Sequence, residues 1–511
     1  MNKTLVLVLG DQLSMHSQAV EFAVQHETPV VLIESAHEAK RVWSHQARIV
    51  MFLSAMRHFA QTLTQKGLQV FYSNLQETGS STLLQRLEQL CAQHQINHVV
   101  VVEPGEWGIR TDLVQWAKRQ HLALDVLPDT HFYCSHDEFK RWAKPYKQLR
   151  MEFFYREMRK QFKVLMQGDQ PIGGEWNYDE ANRKAYPKQG PGDIESAFRV
   201  APDELTRQVI AEVQQAFADH PGSLSQFNWP VTAEHAQQAL KHFIQHRLPK
   251  FGEYQDAMWT NTPFGWHSLL SAALNLHLLD PRQAVQAAER AYLEGKAPLS
   301  SVEGFIRQIL GWREFIRGIY WLDMPGLKRA NFLNAMLNLP SWFWTAQTHM
   351  ACLQHSLGQT LEYGYAHHIQ RLMVIGNFSL LVGLNPQQVQ DWFLAVYVDA
   401  VEWVELPNVA SMALYADGGR LASKPYISGG AYVNRMSNYC KNCRYRFDER
   451  TGDKACPLTT LYWHFIDQNK AWLQRNPRTS LMVKNSERIP PAERLAITQR
   501  AHWLFNNIQS L

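Results

Sequence analysis

The sequence predicts two architectures in one chain: a doubly wound parallel α/β sheet first, then a large all-helical unit. Three observations carry this. Over residues 1–130, five short apolar runs rich in β-branched residues alternate with longer amphipathic segments, the pattern of a parallel sheet covered by helices. A stretch rich in Gly and Pro, from Gly168 to Gly192, separates the halves. Beyond about residue 230 the periodicity is helical and dense in Trp. The expected organisation is an α/β unit at 1–130, a basic helical segment with a long connection at 131–230, and a helical unit at 231–511.

With 511 residues there is room for two or three domains, and 45% hydrophobic with 19% charged residues marks a globular chain. Net charge is only +4, so any nucleic-acid surface must be a local basic patch. No run of about 18 apolar residues occurs, which predicts no membrane-spanning helix. The opening run to Gly10 leads straight into Asp11 and reads as a strand, not a signal peptide. Six cysteines are too few for a disulfide framework, and a cytoplasmic location with reduced thiols is expected.

In chain order, the predicted strands are Thr4–Gly10, Pro29–Glu34, Leu68–Ser73, Asn97–Glu103 and Leu122–Leu127. Ligands of such sheets bind beyond the carboxyl ends of the strands. Those ends carry Asp11, Glu34 and Glu103, which suit amide-like donors on a heterocycle; solvated turn carboxylates are the plain alternative. No Gly-x-Gly-x-x-Gly follows the first strand, which argues against a dinucleotide in the usual pose. Residues 137–163 form a basic helical region, with Arg159 and Lys160 among cations interleaved with aromatics, either a solvated helix face or a nucleic-acid surface.

In the second half, Cys440-x2-Cys443-x12-Cys456 and the distant Cys352 make a four-thiolate set that fits a tetrahedral zinc site or a [4Fe–4S] cluster equally well. Lys441 and Arg444 flank it and could offset its charge or meet phosphates. Tyr254 and His267 precede Ser268-x2-Ser271, two hydroxyls that can cap a helix or hold a phosphate at its N-terminus. Gln308 and Trp312 stand four apart, an amide beside a flat ring, suited to reading and stacking a base. Acidic residues alternate with Trp through Asp399, Glu402 and Glu405 before Pro407 and Asn408, and Lys424-Pro425-Tyr426 forms a loop. Most informative is Tyr363–Met373, where His367 and His368 adjoin Arg371. Its periodicity predicts a helix with Tyr365, His368 and Leu372 on one face and His367 and Arg371 on the next.

In this order these motifs resemble the photolyase/cryptochrome family, and within it the iron–sulfur bacterial cryptochrome and prokaryotic (6-4) photolyase branch. The likeness covers most of 250–460, and Leu9-Gly10-Asp11-Gln12-Leu13 extends it to the N-terminus. It implies an antenna-binding α/β unit, in this branch typically holding 6,7-dimethyl-8-ribityllumazine, and a helical unit holding FAD. Carried over residue by residue, His267, Ser268, Leu269 and Ser271 would hold the FAD phosphates, with Tyr254 and Gln308 also at the cofactor. Arg371, Asp399, Glu405 and Asn408 would lie near the flavin ring or adenine. Trp392 and Trp344 would relay electrons. The cysteines would ligate a [4Fe–4S] cluster, and Asp11, Glu34 and Glu103 would bind the antenna. The double histidine is similar to that of eukaryotic (6-4) photolyases, which makes His368 the proton donor, with His367, Gln308 and Tyr426 beside the lesion. Here Leu372 replaces a further histidine of those enzymes. Gln308 stands where cyclobutane-dimer enzymes typically have Glu, and Glu405 where the family often has Asn. The implied activity is light-driven repair of (6-4) photoproducts in UV-damaged DNA by a monomer, with contacts from Arg159, Lys160, Lys441 and Arg444. A photoreceptor without repair activity is the alternative.

Overall fold

The computed structural model describes residues 3–511. All five expected strands form: β1 Thr4–Leu7, β2 Val30–Ile33, β3 Val70–Ser73, β4 His98–Val102 and β5 Ala123–Leu127. They make one parallel sheet in the order β3-β2-β1-β4-β5. Side-chain alternation sorts its residues onto two faces. Leu5, Leu7, Val99 and Val101 pack with Leu87, Leu113 and Trp116 on one side. Val6, Val30, Leu32 and Val100 pack on the other, in a core that runs on into the helical half. β1 ends earlier than predicted: Val8 still donates to the Val31 carbonyl (3.0 Å), and the chain turns at Gly10. Between β1 and β4 the strand order reverses, so the loops at 8–17 and 103–106 open a crevice there.

The basic region is two helices, His136–Ala143 and Met151–Phe162. Ser135 and Glu138 form a capping box at the first, and Pro145 lies in the break between them. The Gly/Pro-rich connection also holds structure: a small hairpin pairs Met166–Gln167 with Gln170–Pro171, and a 3-10 turn spans Asp179–Asn182. The rest is predominantly helical. Among the described residues, no helix is long and apolar enough to cross a membrane.

Two features of the helical half escape periodicity. The expected helix through the double histidine is broken. The helix Ala351–Tyr363 stops at Gly364, which adopts φ 62°. A Cβ there would lie 2.7 Å from a Val398 methyl, so both the handedness and the close approach require glycine. Tyr365–His367 are non-helical, and the helix resumes at His368. Tyr365 and His368 therefore do not share one helical face. Secondly, four stretches are π-helical: Phe243–Arg247, Arg307–Arg313, Gln370–Gly376 and Asn408–Ala413. Three of them carry predicted site residues, in keeping with the concentration of π-turns at functional sites.

Candidate functional site

The break after Gly364 lets two imidazoles diverge. His367 turns inward, 4% exposed, and stacks on His267 with centroids 4.5 Å apart and planes at 18°. His368 keeps its side chain open to solvent although it lies well inside the molecule. Burial and the Arg371 charge lower its pKa to about 4, and burial with Arg247 and His368 lowers His267 to about 3. Buried His367 is lowered too, by burial and then by its histidine neighbours. Among the described residues, His267 Nε2 and His367 Nδ1 have no hydrogen-bond partner.

Arg371 organises the next layer. Its Nη2 donates to both Asp399 oxygens (3.0 and 3.1 Å), its Nη1 to Glu405 (3.0 Å) and its Nε to the Ala366 carbonyl (2.6 Å). The guanidinium carbon sits 3.7 Å from the Tyr397 ring centroid. Ser271 Oγ donates to Asp399 Oδ2 (2.6 Å), and Asn275 holds the Asp399 carbonyl (2.8 Å). One guanidinium faces two carboxylates, so one acid is held weakly. Burial pushes Glu405 up to about 7, against the pull of Arg371 and with Asp399 adding repulsion. Asn408 turns its amide back to the Val404 carbonyl (2.8 Å).

Ser268 does not cap. The helix Ser271–Asn275 has Leu270 at its N-cap and no side-chain cap bond, so its first backbone N–H groups stay available. Leu269, at φ 58°, is in the left-handed region that a leucine rarely adopts. Ser268 and Leu269 line a cavity of about 430 Å³ together with Arg247, Trp229 and Phe264. Tyr254 stacks on Tyr186 (5.1 Å). Gln308 is exposed, with its amide turned to the Gly304 carbonyl (3.0 Å). Tyr426 is partly buried; besides burial, the charges of Glu152, Arg478, Arg183 and Asp179 act on it.

Trp392 is 1% exposed with an unpartnered indole N–H, and Trp344 lies 6.3 Å from it, centroid to centroid. Trp43, exposed at the surface, continues the row at 4.8 Å from Trp344.

The four cysteines, separated by up to a hundred residues, border one cavity of about 320 Å³, otherwise walled by apolar side chains such as Met350, Val433 and Leu458. All are free thiols. Burial and neighbouring cysteines push Cys440 up to about 12, and burial first of all pushes Cys456 to about 11. A Cβ at Gly430 would sit 3.0 Å from Cys456 Sγ, so glycine lets the backbone close over the cavity. Among the described residues, no group of three or more His, Cys, Asp or Glu is arranged to hold a single metal ion.

At the sheet edge the three acids differ. Glu34 is 1% exposed, and its oxygens accept from Arg57 (2.7 and 3.1 Å), Tyr72 (2.5 Å) and the Leu75 N–H (2.9 Å). Its hydrogen bonding is used up inside the fold. Glu103 meets His136 (2.9 Å) and Arg110 (3.1 Å). Asp11 meets no cationic side chain, and burial followed by the charge of Glu106 raises it to about 7. It lies in the crevice at the strand-order reversal, where a Cβ on Gly105 would come 2.7 Å from Asp11 Oδ2 and 3.1 Å from Trp403. The crevice is thus walled by both halves of the chain.

One predicted DNA contact is corrected. Arg159 is 1% exposed, and its guanidinium donates to the carbonyls of Val164, Leu165 and Trp176 (3.2, 2.6 and 3.2 Å). It closes the helix end and cannot reach a phosphate. Lys160 is exposed, 3.9 Å from Glu157. Lys441 and Arg444 are exposed beside the cysteine cavity. Sequence reading passed over Tyr397, Asn275, Trp43 and Gln370. Only Gln370 falls within a quoted motif; the others become visible when distant segments meet.

A parallel α/β sheet followed by a helical half with this Arg371–Asp399–Glu405 centre defines the class. Among solved structures, the fold is similar to a class III photolyase from Agrobacterium tumefaciens (TM-score 0.56, 16% identity, 93% of this chain and 86% of that one) and to a Synechocystis cryptochrome (TM-score 0.52, 14% identity, 80% and 82%). Residues 6–229 match the family model described as deoxyribodipyrimidine photo-lyase-related protein. A curated relative, the (6-4) photolyase of Agrobacterium fabrum, is 45% identical over 476 residues, 93% of each chain. The chain belongs to the photolyase/cryptochrome family, and within it groups with that (6-4) photolyase.

Proposed function

We propose that the protein is a DNA-repair lyase that uses light to reverse pyrimidine–pyrimidone (6-4) photoproducts. The observation that carries this is the end-to-end likeness to a (6-4) photolyase, 45% identity over 93% of the chain. His368, open to solvent beside the Arg371 centre, is where the chemistry needs a proton donor.

The family's FAD fits the residues here. His267 Nε2 and His367 Nδ1 are buried and unpartnered, Glu405 can carry a proton near neutral pH, and the helix at Ser271 begins with free N–H groups. Bound FAD supplies the electron that light drives into the lesion and receives it back at the end. Ser268, Leu269 and Ser271 would hold its phosphates; Arg371, Asp399 and Glu405 would hold its ring system. Arg371 neutralises Asp399 while leaving Glu405 able to donate to or accept from a heterocycle.

His368 acts on the flipped-out lesion. As imidazolium it donates a ring proton to the adduct, which lets the transferred hydroxyl or amine return to the 5′ base. Protein surroundings alone hold the imidazolium at about 4. Negative charge on bound DNA would act against that lowering and favour the imidazolium. Leu372 offers no second imidazole, so one histidine manages the proton, with Gln308 and Tyr426 as candidate lesion contacts. Trp392 and Trp344 would relay electrons.

Four thiols bordering one apolar cavity support a [4Fe–4S] cluster held by Cys352, Cys440, Cys443 and Cys456. Asp11 in the inter-half crevice supports an antenna heterocycle such as the ribityllumazine, with Glu103 at its edge. Lys160, Lys441 and Arg444 are the proposed phosphate contacts.

The test is to illuminate reduced protein with oligonucleotides carrying either a (6-4) photoproduct or a cyclobutane dimer. Restoration of the first alone is expected. Restoration of neither would favour a blue-light photoreceptor on the same fold, and restoration of the dimer alone would overturn the substrate assignment.

A further inference from the structure

One buried side chain outside the chemistry ties together the segments that present it. Gln370 is 2% exposed. Its Oε1 accepts from the backbone N–H of His367 (3.1 Å) and from Gln359 Nε2 (3.1 Å). Its Nε2 donates to Gln359 Oε1 (3.0 Å) and to the Tyr439 hydroxyl (3.1 Å). Both acceptor sites and both donor hydrogens are used. Gln359 Nε2 also lies 3.0 Å from the Pro263 carbonyl and 3.2 Å from the Tyr365 carbonyl, so its two hydrogens are shared among three acceptors. The two amides therefore face each other reciprocally and fasten three strangers: the segment leading to His267, the non-helical turn Tyr365–His367, and Tyr439.

The turn needs such a fastening. Gly364 has broken the helix, so the His367 N–H has no helical acceptor, and a buried unpaired N–H is costly. Gln370 supplies that acceptor from three residues downstream. Tyr439, itself 3% exposed and stacked on His355, directly precedes Cys440.

We propose that Gln370 is the positioning residue of the repair reaction: it sets the His367–His368 turn and anchors it, through Tyr439, to the cysteine-bearing segment. This rests on His368 being the proton donor. Charges act on this cluster from Arg371, which is paired with Asp399 and Glu405, and from Arg247 at His267, and His267 and His367 adjoin His368 electrostatically, so a new charge at 370 joins these groups.

Two variants test it, Gln370→Glu and Tyr439→Phe, with His368→Ala alongside. Gln370→Glu keeps the acceptor for His367 but loses both donors and adds negative charge near the imidazoles. Tyr439→Phe keeps the ring and removes only the anchoring hydroxyl. Single-turnover repair of a (6-4) oligonucleotide is measured against pH per folded, flavin-loaded molecule, with oligonucleotide affinity measured in the dark. Gln370→Glu should slow repair about 10- to 100-fold, leave dark affinity within about twofold, and move the pH midpoint upward, because a carboxylate favours imidazolium. Tyr439→Phe should slow repair severalfold at unchanged affinity, and it decides the matter if Gln370→Glu does not fold. Wild-type rate and midpoint per folded molecule in both variants would overturn the positioning role, even if less protein folds. Repair retained by His368→Ala would instead remove the proton-donor reading on which it rests.

Discussion

The histidine pocket and the cysteine pocket use the same physics with opposite sign. In each, burial disfavours the charged forms: the imidazole of His267 is lowered to about 3 and that of His367 is lowered too, while the thiols of Cys456 and Cys440 are raised to about 11 and 12. Relief comes from opposite partners. Negative charge, such as DNA phosphates would bring to His368, would favour the imidazolium. Positive charge, such as the iron of the proposed cluster would bring, would favour the thiolates. The difference lies in permanence. The cysteines are enclosed by the apolar walls of one cavity, whereas His368 stays open to solvent. One pocket suits a resident group and the other a visiting substrate.

The largest effect that would break this contrast is at the cysteines. Cys352→Ser or Cys456→Ser should abolish bound iron and lower the thermal midpoint steeply, since metal binding of this kind can carry about 10 kcal/mol of folding free energy. Iron analysis and melting curves check this, and full iron occupancy in either variant would end the cluster assignment. Next, His368→Ala should reduce (6-4) repair by about 10²–10⁴-fold while dark binding of the lesion oligonucleotide persists.

A smaller effect sharpens the comparison through pH. His45, His267 and His277 are lowered to about 4, 3 and 4, chiefly by burial. An unfolded histidine titrates near 6.5, so below that pH the unfolded chain binds more protons than the native one. Their stabilisation is fully present above about pH 6.5 and is lost as pH falls toward 4. For fully buried His45 the loss approaches about 3 kcal/mol. Urea midpoints should fall over that window, and His45→Gln, which can still reach the Leu361 carbonyl, should flatten the fall. The neutral thiols contribute nothing there. Smallest is the DNA surface. Replacing Lys441 and Arg444 together by Ala should reduce the slope of log affinity against log salt by about 2, with stability unchanged. Arg159→Ala should do the reverse, leaving the slope alone and destabilising the helix end it closes.

Much of the fold was legible because it rests on short-range patterns. Five β-branched runs became five parallel strands, each within a few residues of its predicted place. Residue type alone marked Arg371, Asp399, Glu405 and the cysteines, and the fold brings each set together. Arg159 was misread because a cation amid aromatics looks the same whether it faces phosphates or caps carbonyls. Glu34 looked like a ligand because nothing near it in sequence announces Arg57, Tyr72 and the Leu75 amide. The double histidine was assigned to an unbroken helix because periodicity outweighed one glycine, whose role depends on Val398 more than thirty residues away. The π-turns left no periodic signal at all.

What the sequence by itself determined is the order of elements, the two-part architecture and the inventory of reactive side chains, since helix, strand and turn preferences are local. What only the tertiary structure decided is which of those side chains remain free. Asp11 meets no cation while Glu34 is saturated, His368 opens outward while His367 stacks inward, and Gln370 joins three segments that sequence keeps far apart. Burial and hydrogen-bond satisfaction are properties of neighbours, and distant neighbours are assigned by folding.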